Sequence, residues 1–262
     1  MDLVSNRLMI FLTVSLLSPL VLGGSATHPV AGGEMKGTTV KYSSRGEEIS
    51  GYLVKPEGKG PFPAVVMIHE WWGLNDQIRG KASELADQGY VVLAVDLYRG
   101  RATSDPGEAH ELMRGLPEDR AVADMLAAVR YLQSQPYVKG SRIGSIGWCM
   151  GGGYSLSLAI NSPELAACVI YYGRLVTDPK EHNRIQAPIA GFFGDKDRGI
   201  PPSSVDRFES SLKSLDKEIE THLYHGAGHA FANENSRSFN KKAAEDSWVK
   251  TLRFFKDKLK DN

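Results

Sequence analysis

The sequence predicts a doubly wound α/β fold, a mostly parallel sheet with helices on both faces. Three observations carry that expectation. Continuous apolar runs of strand length recur along the chain, amphipathic helical patterns lie between them, and unusual turns follow the runs. Strands covered on both faces read as unbroken apolar runs, and their alternation with helices favours a parallel sheet. A length of 262 residues with 42% hydrophobic composition fits one domain with a full core.

In chain order, VKYSSRGEEISGYLVKP reads as two strands around a polar turn at Ser44 to Glu47. AVVMIH, Ala64 to His69, is the first continuous strand, followed by the helical pattern DQIRGKASELADQG. YVVLAVD, Tyr90 to Asp96, precedes a loop and a long helix over Glu118 to Ser134. RIGSIG, Arg142 to Gly147, runs into a glycine turn and the helix YSLSLAIN. CVIYYG and PIAGFFG are two more buried strands, EIETHLY is the last, and Phe239 to Leu259 forms a C-terminal helix.

The first residues read as a targeting segment. Arg7 precedes the run LMIFLTVSLLSPLVL, which ends in Gly-Gly-Ser-Ala, the order of a secretory signal. Cleavage after Ala26 gives a signal over residues 1–26, a single domain over 27–262, and export to the periplasm or medium. The alternative, a membrane anchor, is disfavoured because the 15-residue run is broken by Pro19 and falls short of a span of about 20.

Lys plus Arg and Asp plus Glu number 31 each, with no basic run. A nucleic-acid or membrane-surface role lacks its electrostatic footprint, which leaves small molecules as partners. Of the two cysteines, Cys168 sits in the strand AACVIYYG, where a free thiol behaves as a small apolar residue. Two free thiols are expected rather than a disulfide.

In doubly wound sheets ligands bind beyond the carboxyl ends of the strands. Four turns there carry unusual residues: Glu70-Trp71-Trp72-Gly73, the G-x-C-x-G made by Gly147, Cys149 and Gly151, Asp195-Lys196-Asp197, and His225-Gly-Ala-Gly-His229. Nucleophile, acid, histidine is the chain order of the α/β-hydrolase triad, with Cys in place of Ser. A strand turning sharply into a helix crowds its neighbours, which calls for glycines two residues either side of the apex. The thiol would then stand at the positive end of a helix. A histidine can take its proton, and a buried carboxylate can hold that ring in the useful tautomer. The backbone N–H groups of Met150 and Trp71 are the candidate oxyanion donors.

The stretches HEWWGLN, DLYRGR, GWCMGG, GDKDRGIP and HGAGHAFAN span roughly residues 40 to 260. Through them the chain resembles the dienelactone hydrolase family of α/β-hydrolases. The resemblance implies a Cys149, His229, Asp197 triad cleaving cyclic or simple esters without a cofactor or metal. It also implies that Glu70 lies near the thiol and couples its ionisation to substrate binding. The family's namesake lactonases carry a carboxylate-binding arginine four residues after the histidine, where this chain has Asn233. The resemblance places a second such arginine near DLYRGR, at Arg99 or Arg101.

Each choice has a rival. His225 reads as structural, and two glycines prevent the HGAGH pair from sharing a metal-binding helix. Asp195 suits a turn-shaping role, Asp96 a loop-organising one. Glu70 as a solvated charge and His69 as a structural residue are the plain alternatives. Tyr98, Trp72 and Phe231 fall with Trp71 and Trp148 on the ligand side and favour an apolar or aromatic acyl group, with capping of the core as the alternative. Arg174 and Arg198 could meet an acidic substrate or simply lie at the surface. A broad carboxylesterase or thioesterase, a non-catalytic binding protein on the same fold, and a redox-sensing thiol protein are the competing functions. The last would need a resolving cysteine, for which buried Cys168 is poorly placed.

Overall fold

The computed structural model describes residues 37–260; the expected signal over 1–26 lies outside the described residues. A hairpin opens the sheet. Strand β1, Thr38–Ser44, pairs antiparallel with β2, Glu47–Val54. The two turn residues, Arg45 and Gly46, both have positive φ (51° and 81°), the geometry whose twist matches a tight hairpin.

Six further strands complete the sheet: β3 Phe62–Ile68, β4 Val91–Val95, β5 Val138–Trp148, β6 Ala167–Tyr171, β7 Ile189–Gly194 and β8 Ile219–Tyr224. The order is β1-β2-β4-β3-β5-β6-β7-β8. Only the β1–β2 and β2–β4 pairings are antiparallel, so the parallel doubly wound expectation holds.

The unbroken apolar runs are explained by two buried faces. Along β3, Val66 and Ile68 join one core while Val65 and Met67 join the other. Helices α3 (Glu118–Gln133), α4 (Met150–Asn161) and α6 (Pro202–Lys213) supply Met125, Leu156 and Phe208 to the first. Helices α1 (Asp76–Asp87) and α7 (Lys241–Phe255) supply Leu85 and Phe255 to the second. Asn75 and Asn240 cap α1 and α7 by accepting the N–H groups of Ile78 and Ala243, satisfying donors that a helix start leaves open. The C-terminal helix therefore begins at Lys241 rather than Phe239 and ends in a wider turn over Lys256–Lys260.

Helix α2 (Pro106–Arg114) lies where the sequence reading placed a loop, and α5 (Pro179–Arg184) and α6 lie in stretches for which it assigned no element. The chain leaves β3 toward β4 on one side and later reaches β5 on the other. That reversal opens a crevice at the carboxyl ends of β3 and β5, the place where such sheets bind ligands.

Candidate active site

Strand β5 ends at Trp148 and α4 begins at Met150, leaving Cys149 alone between them with φ 54° and ψ −118°. A residue with a side chain costs on the order of 1–3 kcal/mol in such a conformation. Close packing of the elbow holds it there. A Cβ on Gly147 would meet the Gly151 carbonyl oxygen at 2.0 Å, and one on Gly151 would meet those of Ile68 and His69 at 2.4 and 2.5 Å. The two glycines thus let α4 sit directly on the end of β3, and the Cys149 N–H donates to the Tyr171 carbonyl at 3.0 Å.

The Cys149 Sγ lies 3.1 Å from His229 Nε2, and His229 Nδ1 lies 2.7 Å from Asp197 Oδ2. A carboxylate only accepts, so Nδ1 carries the proton and Nε2 faces sulfur. The other carboxylate oxygen, Oδ1, accepts the N–H groups of Gly199 (2.8 Å) and Ile200 (3.2 Å), which fixes the acid. Burial opposes a charged His229, but its bonds to Asp197 and Cys149 and their charges outweigh that and raise it to about 10. Burial would also raise Asp197, yet the bonds and charge it receives from His229 and the two N–H groups leave it below the usual carboxylate range.

Glu70 is buried rather than solvated. Its carboxyl accepts the Tyr172 hydroxyl at 3.4 Å and the Asn233 amide. Burial pushes Glu70 above the ordinary carboxylate value, against the opposing pull of Asn233, His229 and Tyr172. The N–H of Asn235 donates to Asn233 Oδ1 at 2.9 Å, so the Asn233 amide is committed at both ends. Among the described residues, the N–H groups of Met150 and Trp71 donate to no protein acceptor.

A cavity of about 490 Å³ opens on Cys149 and His229. Met113 of α2, Met150, Tyr172, Leu175, Ile200 and Phe208 form much of its wall. That is the mostly apolar character of a small-molecule site.

The structure separates the remaining candidates. Asp96 accepts the N–H groups of Tyr98 and Gly100, organising the loop after β4. Asp195 accepts from His225 Nδ1 and the Gly226 N–H, both at 2.7 Å, and shapes its turn. His69 is fully buried; its Nε2 accepts the Leu97 N–H and its Nδ1 meets the Glu70 carbonyl at 2.6 Å.

The substrate-side candidates need correction. Phe231 is fully buried against Tyr172 and Tyr224 and is a core residue. Tyr98 is also buried, its hydroxyl donating to Met150 Sδ at 3.2 Å, so it supports the wall from behind. Arg99 is drawn to buried Asp124 at 2.8 Å and Arg101 to Glu108 at 3.0 Å, and neither lines the cavity. Trp72 packs on Trp71 at 4.7 Å, outside the cavity wall. Cys168 is a free, fully buried thiol pushed up to about 11 by burial. Sequence reasoning missed Tyr172, although it follows a strand end just as the other site residues do. It also missed Met113, whose short helix left little periodic signal.

An eight-stranded, mostly parallel sheet with a strained strand-to-helix turn at Cys149 after β5 defines an α/β-hydrolase fold. Within that class the chain belongs to the dienelactone hydrolase family, whose profile matches residues 49–259. A putative carboxymethylenebutenolidase of Saccharolobus solfataricus is 32% identical over 82% of this chain and 96% of its own length. A probable 2-oxo-3-(5-oxofuran-2-ylidene)propanoate lactonase of a Bradyrhizobium species is 31% identical over 81% of this chain and 91% of its own. The crystal structure of a putative dienelactone hydrolase from Klebsiella pneumoniae superposes with a TM-score of 0.77 at 27% identity, covering 84% of this chain and 97% of that one. The chain is a hydrolase of this family.

Proposed function

We propose that the protein cleaves esters or lactones by covalent catalysis at Cys149. The observation that carries this reading is the unbroken chain from Sγ through His229 to Asp197, mounted on a strained turn at the mouth of a cavity.

His229, whose charged form is favoured up to about pH 10, holds the thiol's proton as sulfur bonds to the substrate carbonyl carbon. The carbonyl oxygen becomes an oxyanion, received by the N–H groups of Met150 and Trp71. Collapse expels the alkoxide, which takes the proton from His229 and leaves a thiol ester. Water then gives its proton to His229 and attacks, and the returning proton restores the thiol and frees the acid. Asp197 holds the ring and stabilises its charged form. Glu70, bonded by Tyr172 and Asn233 beside the ring, acts as a positioning residue. The lactonase and carboxymethylenebutenolidase names of the relatives favour cyclic esters. The test is hydrolysis of activated esters and simple lactones by the wild type and Cys149→Ala. A loss of about 10³-fold or more is expected; wild-type rates in the variant would overturn the reading. Residues 1–26 are proposed to direct export and be removed. The N-terminal sequence of the exported protein tests this, with a mature start at Thr27 expected and retention of the segment against it.

A further inference from the structure

Helix α6 gives the cavity Ser204, Arg207, Phe208 and Ser211. These fall at i, i+3, i+4 and i+7, so one face of the helix lines the recess over two turns. From Ser204 to Ser211 that face advances about 10 Å along the helix axis. The helix starts beside His229, because the Ile200 N–H just ahead of it donates to Asp197, which His229 meets. The recess therefore runs from Cys149 along α6 toward His182 of α5, which also lines it. Its polar side chains are already engaged within the protein. Ser204 Oγ donates to the Pro201 carbonyl at 2.7 Å. His182 spends Nε2 on the Val176 carbonyl at 2.9 Å and Nδ1 on the Ser211 hydroxyl at 2.7 Å. Phe208 stands edge-on to that imidazole, with ring centroids 5.3 Å apart. Arg174 and Arg207 are exposed, so their charges stay in water. Polar groups paired inside the protein can border an apolar ligand without the penalty of stranded ones.

We infer that this recess is an acyl-chain channel, so that the preferred ester carries an uncharged aliphatic acyl group of about octanoyl length. An extended octanoyl chain matches the run of α6 from Ser204 to Ser211. The methylenes lie along Met113, Leu175, Val176 and Ile200, and Phe208 with the His182–Ser211 pair forms the far end that sets chain length. The acyl arm is the one retained on sulfur. The alkoxide takes its proton at His229, whose side chain is 43% exposed, and leaves on that open side. This assignment deepens the ester-cleavage reading and rests on it only for which arm enters the channel.

The binding test uses the full chain carrying Cys149→Ala, which holds ester without turnover. Calorimetry with methyl butanoate, hexanoate, octanoate and decanoate should show affinity rising about two- to fourfold per methylene up to octanoate and levelling beyond it. Monomethyl suberate, which puts a carboxylate at the chain end, should bind at least tenfold more weakly than methyl octanoate. Adding Ser204→Phe, which fills the recess in the first turn of α6, should abolish the gain beyond butanoate. Ser203→Phe, at the exposed neighbour outside the wall, should leave the profile unchanged. Phe208→Leu should move the levelling point from octanoate to decanoate. A flat series, equal effects of the two phenylalanines, an unmoved levelling point in Phe208→Leu or tighter binding of the suberate half-ester would overturn the channel. In the wild type, kcat/KM should favour ethyl octanoate over its isomer octyl acetate by tenfold or more, and equal or reversed rates would overturn the acyl-arm assignment. Absence of turnover on both would count against ester cleavage, while the binding series still decides the channel.

Discussion

The loops after β7 and β8 carry two aspartate–histidine pairs of the same kind. Asp195 meets His225 and Asp197 meets His229, each through Nδ1 at 2.7 Å. Distance and residue type cannot tell them apart; placement does. The His225 side chain is 93% exposed, and Asp195 spends its other oxygen on the Gly226 N–H, so that pair closes a turn. The Asp197 side chain is 2% exposed, its second oxygen is held by two N–H groups, and the far nitrogen of His229 reaches a thiol. A shielded acid and a thiol at the ring's far nitrogen are the two features that the proposed proton relay requires and that the Asp195–His225 pair lacks.

Substitutions that tell the pairs apart should have sharply unequal effects. His229→Ala should lower kcat/KM for an activated ester by about 10³-fold or more, and His225→Ala by less than twofold. Comparable losses in both would erase the distinction. Asp197→Asn should cost about 10²-fold or more, because the amide no longer enforces the useful tautomer. Asp195→Asn should show instead a small loss of thermal stability with turnover nearly intact. Steady-state rates and melting curves on the same four proteins decide both comparisons.

The elbow gives the next effect in size. Gly151→Ala drives a Cβ into the Ile68 carbonyl oxygen at 2.4 Å and should destabilise the fold by about 1–3 kcal/mol, read by denaturant unfolding. A neutral result would mean that α4 can lift off β3 without cost.

The smallest effect is in pH dependence. His229 is raised to about 10 in the folded protein, so its contribution to stability is fully present below the unfolded histidine value near 6.5 and fades as pH rises through about 10. Replacing it with Gln should flatten the fall of melting temperature over that interval. In Cys149→Ala, where the bond and charge of the sulfur are gone, the His229 titration should move down from about 10, as nuclear magnetic resonance would show. An unmoved titration would mean that sulfur does not sense the ring.

The parallel sheet and the residues brought to Cys149 were legible in the sequence for one physical reason. Strands buried on both faces are unbroken apolar runs, and the carboxyl ends of those runs locate the site. The hidden parts lacked that signature. Helix α2 buries only Ala109, so it has almost no apolar stripe to read, and α5 is six residues long. Helix α6 buries Val205, Phe208 and Leu212 after a pair of prolines, a helical spacing that was present and went unread. Phe231 and Arg99 both lie beyond strand ends, yet one turns into the core and the other to Asp124. Loop side chains answer to three-dimensional neighbours that spacing does not encode. Glu70 shows the same limit, since its hydrogen-bond partners Tyr172 and Asn233 lie far along the chain.

The central claim is that sulfur, served by the Asp197–His229 pair, carries the acyl group. The most direct measurement is intact mass after rapid quenching of the wild type with a slowly deacylating ester, followed by peptide mapping. The account predicts a transient mass increase equal to the acyl group, located on Cys149 and absent from Cys149→Ala, with buried Cys168 unmodified. Undiminished turnover in Cys149→Ala, or an acyl group mapped to any other residue, would contradict it.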